Sequence, residues 1–251
     1  MALNYYQVAK KASSQIGRHP GLQYLQRTCL RAGRVLDVGC GEGTRLNTLL
    51  PSGKPGWGTD ISPQAIDLAK SQYPGHRFSL AAARRLPFSN GSFDLVYSAF
   101  VLEHTSDPGI FLEEMLRVCR PQGIVVILAP NFGAPNRRSP NSVQRPLVKL
   151  LAGFVADFSP PGSPADWIGV IPKSTYQHID DDTTVEPYLR SLRHFFVRRK
   201  LTILACSSLW VLEAPVLNLP QLLFCLLGRA GVYPFTYWGP QIFLAAKKTG
   251  T

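Results

Sequence analysis

The sequence predicts an α/β protein organised on a doubly wound parallel sheet. Three observations predict it. Short apolar runs alternate with stretches of helical spacing through the first half of the chain, and the first run opens into a turn with glycine at alternate positions. Ile124 to Ala129 is a continuous apolar run, as expected of a central strand buried on both faces.

Residues 3 to 31 carry apolar and aromatic side chains at helical spacing, broken at His19-Pro20-Gly21, which predicts two helices ahead of the core. Val35 to Val38 reads as a buried strand, Gly39, Gly41 and Gly43 as a turn where backbone approaches a ligand, and Thr44 to Leu50 as the following helix. Gly56 to Asp60 is a second strand ending in a carboxylate. Ser62 is the expected N-cap and Pro63 the first turn of a helix running to Gln72. Phe78-Ser79-Leu80 is a third strand, Asn90-Gly91-Ser92 a turn, and Phe93 to Ser98 a fourth strand. Ile110 to Cys119 has the pattern of a surface helix, and Pro121-Gln122-Gly123 turns into the fifth strand.

The glycine turn narrows the ligand. No Gly-Lys-Ser or Gly-Lys-Thr follows it, so a triphosphate cradle is not expected; a dinucleotide fingerprint would place its third glycine at Thr44, not Gly43. A carboxylate at Asp60 suits two ribose hydroxyls, because it accepts hydrogen bonds and donates none. The pair implies an adenosine ligand.

Composition sets wider bounds. The 251 residues suffice for a full core, and 45% hydrophobic with 17% charged residues is a globular balance. Lysine and arginine outnumber acids 27 to 16, giving +11 and favouring an anionic partner. The basic residues lack the aromatic interleaving of a nucleic-acid module. Five cysteines without Cys-x-x-Cys spacing indicate neither a disulfide framework nor a zinc site, so no metal is expected. A reducing, cytoplasmic setting fits them, and Met1 to Ser14 lacks the apolar core of a signal peptide.

Val35 to Gly43, Asp60, Arg85 to Val96, Val101-Leu102-Glu103-His104 and Leu116 to Gly123 together resemble, in order, the motifs of class I S-adenosylmethionine-dependent methyltransferases. The branch they resemble includes the ubiquinone and menaquinone methyltransferases. The resemblance covers residues 33 to 131 and implies a Rossmann-like, seven-stranded sheet with the last strand antiparallel between the fifth and sixth, plus helical insertions. It implies one domain over 1–251, with 1–31 as a helical cap that brings Tyr5 and Tyr6 forward as packing or lid residues. It also implies S-adenosyl-L-methionine as cofactor. Asp37, Gly39, Cys40, Gly41 and Gly43 would serve its methionine end, Asp60 and Ile61 the ribose, Ala82 and Ala83 the adenine, and Ser98, Phe100 and Val101 the sulfonium side. Relatives carry an acid where this chain has Ala82, so one polar contact worth about 0.5–1.5 kcal/mol is missing. His104 and His178 are the candidate bases, each against a structural reading as a hydrogen-bonded histidine.

The acceptor is expected among residues 132 to 182 and 211 to 237. The first segment loses periodicity but holds a helix over Val143 to Phe158 with a basic edge at Arg145 and Lys149. Asp166-Trp167-Ile168, Tyr176, His178 and Asp180-Asp181-Asp182 follow; the aspartates serve a substrate or cap a helix over Thr183 to Arg199. Leu201 to Leu209 and Gln241 to Ala246 are the sixth and seventh strands. The apolar stretch 211–237 is interrupted by Pro215 and Pro220 and contains Glu213, so it is too short to span a bilayer. It fits a peripheral membrane contact, a cover over a lipid-like acceptor, or a dimer patch. The expected activity is methyl transfer to a small-molecule or lipid-linked acceptor; nucleic acid is disfavoured, since Pro130-Asn131-Phe132 replaces the amino-methylating signature. An NAD-linked oxidoreductase and a non-catalytic cofactor binder are the other readings.

Overall fold

The computed structural model describes residues 16–17, 19–158, 167–173, 181–210 and 219–250. Tyr5, Tyr6, Tyr176 and His178 lie outside the described residues, as does Asp180 of the aspartate run.

The chain opens on α1 (Pro20–Arg31), then β1 (Val35–Val38), α2 (Thr44–Leu49), β2 (Trp57–Asp60), α3 (Pro63–Gln72), β3 (Arg77–Leu80), β4 (Phe93–Ala99), α4 (Pro108–Val118) and β5 (Cys119–Pro130). There follow α5 (Pro146–Phe158), β6 (Ile168–Gly169), β7 (Val185–Glu186), α6 (Leu189–Arg198), β8 (Thr202–Leu209), α7 (Leu219–Arg229) and β9 (Gln241–Lys247). Seven strands form one sheet in the order β3-β2-β1-β4-β5-β9-β8, with β9 antiparallel, while β6 and β7 pair as a separate antiparallel ribbon. This is the doubly wound sheet with an antiparallel last strand that the motifs implied.

The chain packs as two compact units. The first takes the residues up to Ala99, Gly109–Val126 and the residues from Lys247; the second takes Phe100–Pro108 and Ile127–Ala246. In the first unit β1 pairs in parallel with both β2 and β4, setting Asp37 beside Gly58 on one side and Tyr97 on the other. All four residues of β1 are buried. The α3 start is as expected: Ser62 Oγ accepts from Ala65 N at 3.2 Å ahead of Pro63. His19 is also a cap, its Nδ1 accepting from Leu22 N, so the break at His19-Pro20-Gly21 is a helix start. Arg117 of α4 holds the loop before β4, donating to Phe88 O, Leu86 O and Asn90 Oδ1 while paired with Glu114.

Three expectations need correction. β5 starts at Cys119, so the expected turn at Pro121-Gln122-Gly123 is a kink within the strand, with Gln122 at φ 64° and bonded to Lys248 O. The helix expected over Thr183 to Arg199 begins only at Leu189, because Val185–Glu186 pair with Ile168–Gly169. The basic edge of α5 is not an edge on the outside: Lys149 is buried, held by Phe132 O at 2.6 Å and by the Glu186 carboxylate. A buried ammonium persists only when paired and hydrogen-bonded, and Glu186 in turn accepts from Ser139 N and Oγ.

Candidate cofactor site and the second unit

The turn after β1 leaves the carboxyl ends of the strands, where open parallel sheets collect ligands. Gly39, Gly41 and Gly43 have φ of 81°, 54° and 84°, a region that side-chain-bearing residues avoid. At Gly43 an added Cβ would also lie 2.8 Å from the Phe78 ring, whereas at Gly41 it would meet nothing within 4 Å. Gly43 is thus required for packing, and Gly41 leaves open space beside the turn.

The turn is folded back on β2 by Gly39 N and Cys40 N, both donating to Thr59 O, at 2.7 and 2.9 Å. Asp60 continues this clamp, accepting from Gly41 N and Ser62 N, each at 2.9 Å through a different oxygen. Each oxygen keeps a lone pair, so the carboxylate retains two acceptor positions for hydroxyls.

Asp37 is fully buried in β1, and Tyr97 Oη donates to its Oδ2 at 2.9 Å. Burial pushes its carboxyl up to about 7; Arg45 and the Tyr97 bond pull it down, and Asp60 and Glu42 push it further up. Asp37 Oδ1 and Ser98 Oγ are buried with no hydrogen-bond partner among the described residues. An unmet buried polar atom costs about 1–3 kcal/mol, so two of them next to a glycine turn fit a polar or cationic ligand group.

The remaining expected residues of this unit take lesser positions. The Cys40 thiol packs against Gly58, where a Cβ would come within 2.8 Å of its sulfur, and burial raises it well above the ordinary thiol range. It is a packing group. Ile61 is 74% exposed, an unusual position for so large an apolar side chain. Ala82 and Ala83 follow β3, half-buried, in a turn closed by Arg85 N on Ala82 O.

Phe100, Val101 and His104 belong to the second unit. Phe100 has φ 61°, a left-handed value costing a bulky residue about 1–3 kcal/mol, with its N–H bonded to Leu128 O at 2.8 Å. Val101 leads into a single 3₁₀ turn, Leu102–His104. His104 Nδ1 lies 3.0 Å from Asp182 Oδ1, and its Nε2 lies 3.7 Å from Glu103 Oε1. Burial alone would lower this imidazole, but the bond to Asp182 and the two carboxylate charges overcome it and raise it to about 9. Asp182 is delivered by backbone ties: Thr184 N donates to Glu103 O at 2.9 Å, and Asn141 Nδ2 reaches Asp181 O and Thr183 O at 2.9 and 3.0 Å. Asp181 and Asp182 therefore cap no described helix.

Sequence reading missed Tyr97 and Arg45. Tyr97 was visible only as one more residue of a buried strand; that a phenol inside such a strand must find a partner was the usable signal. Arg45 lies two residues past Gly43, and its Nη1 donates to Ala99 O at 2.9 Å, tying α2 to the end of β4.

Comparison with known proteins agrees with this geometry. Residues 36–127 match the model of a family described as a methyltransferase domain. A 2-methyl-6-phytyl-1,4-hydroquinone methyltransferase of Synechocystis is 35% identical over 121 residues, 47% of this chain and 38% of its own. A demethylmenaquinone methyltransferase of Beutenbergia cavernae is 39% identical over 94 residues, 38% of this chain and 39% of its own. The chain thus spans well under half the length of these curated relatives. Among solved structures, an S-adenosylmethionine-dependent methyltransferase from Mesorhizobium loti superposes with a TM-score of 0.59 at 18% identity, covering 91% of this chain and 96% of its own. One from Methanosarcina mazei gives 0.55 at 17%, covering 87% and 93%. These two share the fold.

Fold and glycine turn define the class, a doubly wound α/β domain with a glycine turn after its first strand and a carboxylate at the end of its second. More particularly, residues 36–127 match a methyltransferase-domain family, and the curated relatives similar to this chain include hydroquinone and menaquinone methyltransferases.

Proposed function

We propose that the protein binds S-adenosyl-L-methionine and transfers its methyl group to a small-molecule or lipid-linked acceptor. The observation that carries the cofactor half is the clamp of Gly41 N and Ser62 N on Asp60, next to unpaired Asp37 Oδ1. Asp60 would hold the ribose through its free lone pairs, and Asp37 the positive methionine end. The exposed face of Ile61 would lie against the adenine, with the backbone of Ala82 and Ala83 reading its edge. The bound cofactor would supply an already activated methyl, leaving the chain to align the two reactants and exclude water.

The acceptor half rests on less. Both curated relatives named above act on quinone-type rings by name, and the apolar character of 211–237 suits such a ligand. Asn131, in the position of the amino-methylating signature, is fully committed: its amide donates to Tyr237 O and Gly239 O and accepts from Leu189 N. That favours a small molecule over a nucleic acid.

His104 starts as an imidazolium at neutral pH, since its pKa is about 9. It would orient an acceptor oxygen by donating to it, and it does not begin as a free base. A positioning cation gives a rate that is level through neutrality and falls as pH rises past about 9; a base would give a rate that climbs there. His104→Gln should flatten that limb while leaving cofactor affinity unchanged. Incubating the protein with methyl-labelled cofactor and separated lipid, small-molecule and nucleic-acid fractions tests the whole reading. Label in a lipid or small-molecule product supports it; label confined to nucleic acid, or bound cofactor with no transfer, overturns it.

A further inference from the structure

Helix α5 is inside out for a protein surrounded by water. Its buried side chains include the charged Lys149 and Asp157, whereas Leu147, Leu151, Phe154, Val155 and Phe158 are 65%, 60%, 47%, 65% and 65% exposed. These positions recur at helical spacing, so they form one stripe. Helix α7 repeats the arrangement: only Gly228 is buried, and Leu219, Leu223 and Leu226 are 81%, 52% and 54% exposed. The two helices are joined through one segment. The rings of Phe154 and Phe158 stand 6.0 and 4.9 Å from Tyr233, while Phe224 of α7 stacks 5.1 Å from Phe235.

Among the described residues, the exposed charge along the segments that carry these helices has a single sign. From residue 132 to 158 the only acid is Asp157, whose side chain is buried beneath Tyr188 Oη, Trp238 Nε1 and Arg190. With Lys149 also buried, the exposed charges there are Arg138 and Arg145; from 219 to 246 the only charged residue is the exposed Arg229. Among the described residues, then, two apolar helix faces are bordered by arginines with no exposed carboxylate. No described helix is long and apolar enough to cross a membrane.

We propose that α5 and α7 together form a monotopic docking surface for an anionic lipid bilayer. Leucine and phenylalanine enter the boundary between headgroups and acyl chains, and Arg138, Arg145 and Arg229 meet the lipid phosphates. A second copy of the chain is a poorer occupant, because pairing the same faces would bring like-charged arginine borders together. The proposal does not depend on methyl transfer, so the two can fail separately.

Co-sedimentation of the full chain with phosphatidylcholine vesicles, with and without phosphatidylglycerol, tests it, with light scattering for oligomeric state. The wild type should pellet with the phosphatidylglycerol vesicles and be released by added salt. Leu151→Glu with Leu223→Glu, at exposed positions where a glutamate leaves the fold intact, should cut the bound fraction roughly tenfold, with an unchanged circular dichroism melt. Arg138→Glu with Arg145→Glu should remove the preference for anionic vesicles. Wild-type protein that stays in the supernatant, or pelleting that survives the glutamates, overturns the proposal. So does a dimer that the glutamates dissociate while vesicles bind nothing. The wild-type result alone decides the matter if a variant misfolds.

Discussion

The two units arrange their buried polar groups differently. Around the glycine turn of the first, Asp37 Oδ1 and Ser98 Oγ are buried without partners, and Asp60 keeps lone pairs to spare. In the second, two carboxylate networks are closed, although Asn141 Oδ1 and Thr183 Oγ1 are buried without partners among the described residues. Asp157 receives Tyr188, Tyr233, Trp238 and Arg190, and Glu186 receives Lys149 and Ser139. Unmet capacity marks the place of a ligand, and met capacity marks scaffold. The second unit also exposes apolar surface on α5 and α7, a different kind of invitation.

The largest expected effect falls on the closed side. Glu186→Gln strands Lys149 as a buried unpaired cation and should cost about 3–5 kcal/mol, read as a lowered urea midpoint. Next comes Asp60→Ala, which removes a carboxylate that bonds two turn amides and is expected to bond the ribose. Charge-assisted bonds are worth about 1.5–3 kcal/mol, so the affinity for adenosylmethionine by calorimetry should fall roughly 10- to 150-fold. If instead Glu186→Gln abolishes cofactor binding while Asp60→Ala spares it, the division of labour between the units is wrong.

Asp37 supplies the pH test. Its carboxyl is held at about 7 by burial, and a cationic ligand stabilises only the ionised form. Binding below about pH 7 must therefore expel a proton. The affinity should rise by up to tenfold per pH unit until it levels above neutrality. Calorimetry in two buffers of different ionisation enthalpy counts that proton, and Asp37→Asn should remove both the count and the slope. The smallest effect is a gain. Ala82→Asp restores an adenine acceptor worth about 0.5–1.5 kcal/mol, tightening binding roughly 2- to 10-fold; no change would mean that the backbone already reads the ring edge.

The same contrast explains what could be read from the chain. The first unit follows local rules: alternate glycines, an N-cap serine before proline, and an apolar run for a strand covered on both faces. Those residues state their conformation by themselves, and each element from β1 to α4 falls within two residues of its expected place. The second unit was legible in β8 and β9, in the existence of α5 and in the end of α6, while β6 and β7 went unforeseen. Lys149 reads as an exposed basic residue until Glu186, 37 positions later, is known to face it. Asp181 and Asp182 read equally as helix caps or substrate ligands, and β6 and β7 take the backbone that the helix would have used. Long-range pairing of polar groups leaves no periodic trace. For the candidate site, the glycine turn and the carboxylate at Asp60 were legible; the amide clamp on Asp60 and the Asp37–Tyr97–Arg45 environment were not, the latter depending on the register of β1 against β4.

The central claim is that the glycine turn and Asp60 make an adenosylmethionine site. Titrating adenosylmethionine and NAD separately into the wild type and Asp60→Ala by calorimetry tests it most directly. The account expects one saturable site for adenosylmethionine, silence with NAD, and a large loss in the variant under conditions where its urea curve shows it still folded. Undiminished adenosylmethionine affinity in Asp60→Ala, or NAD binding that depends on Asp60, would contradict it.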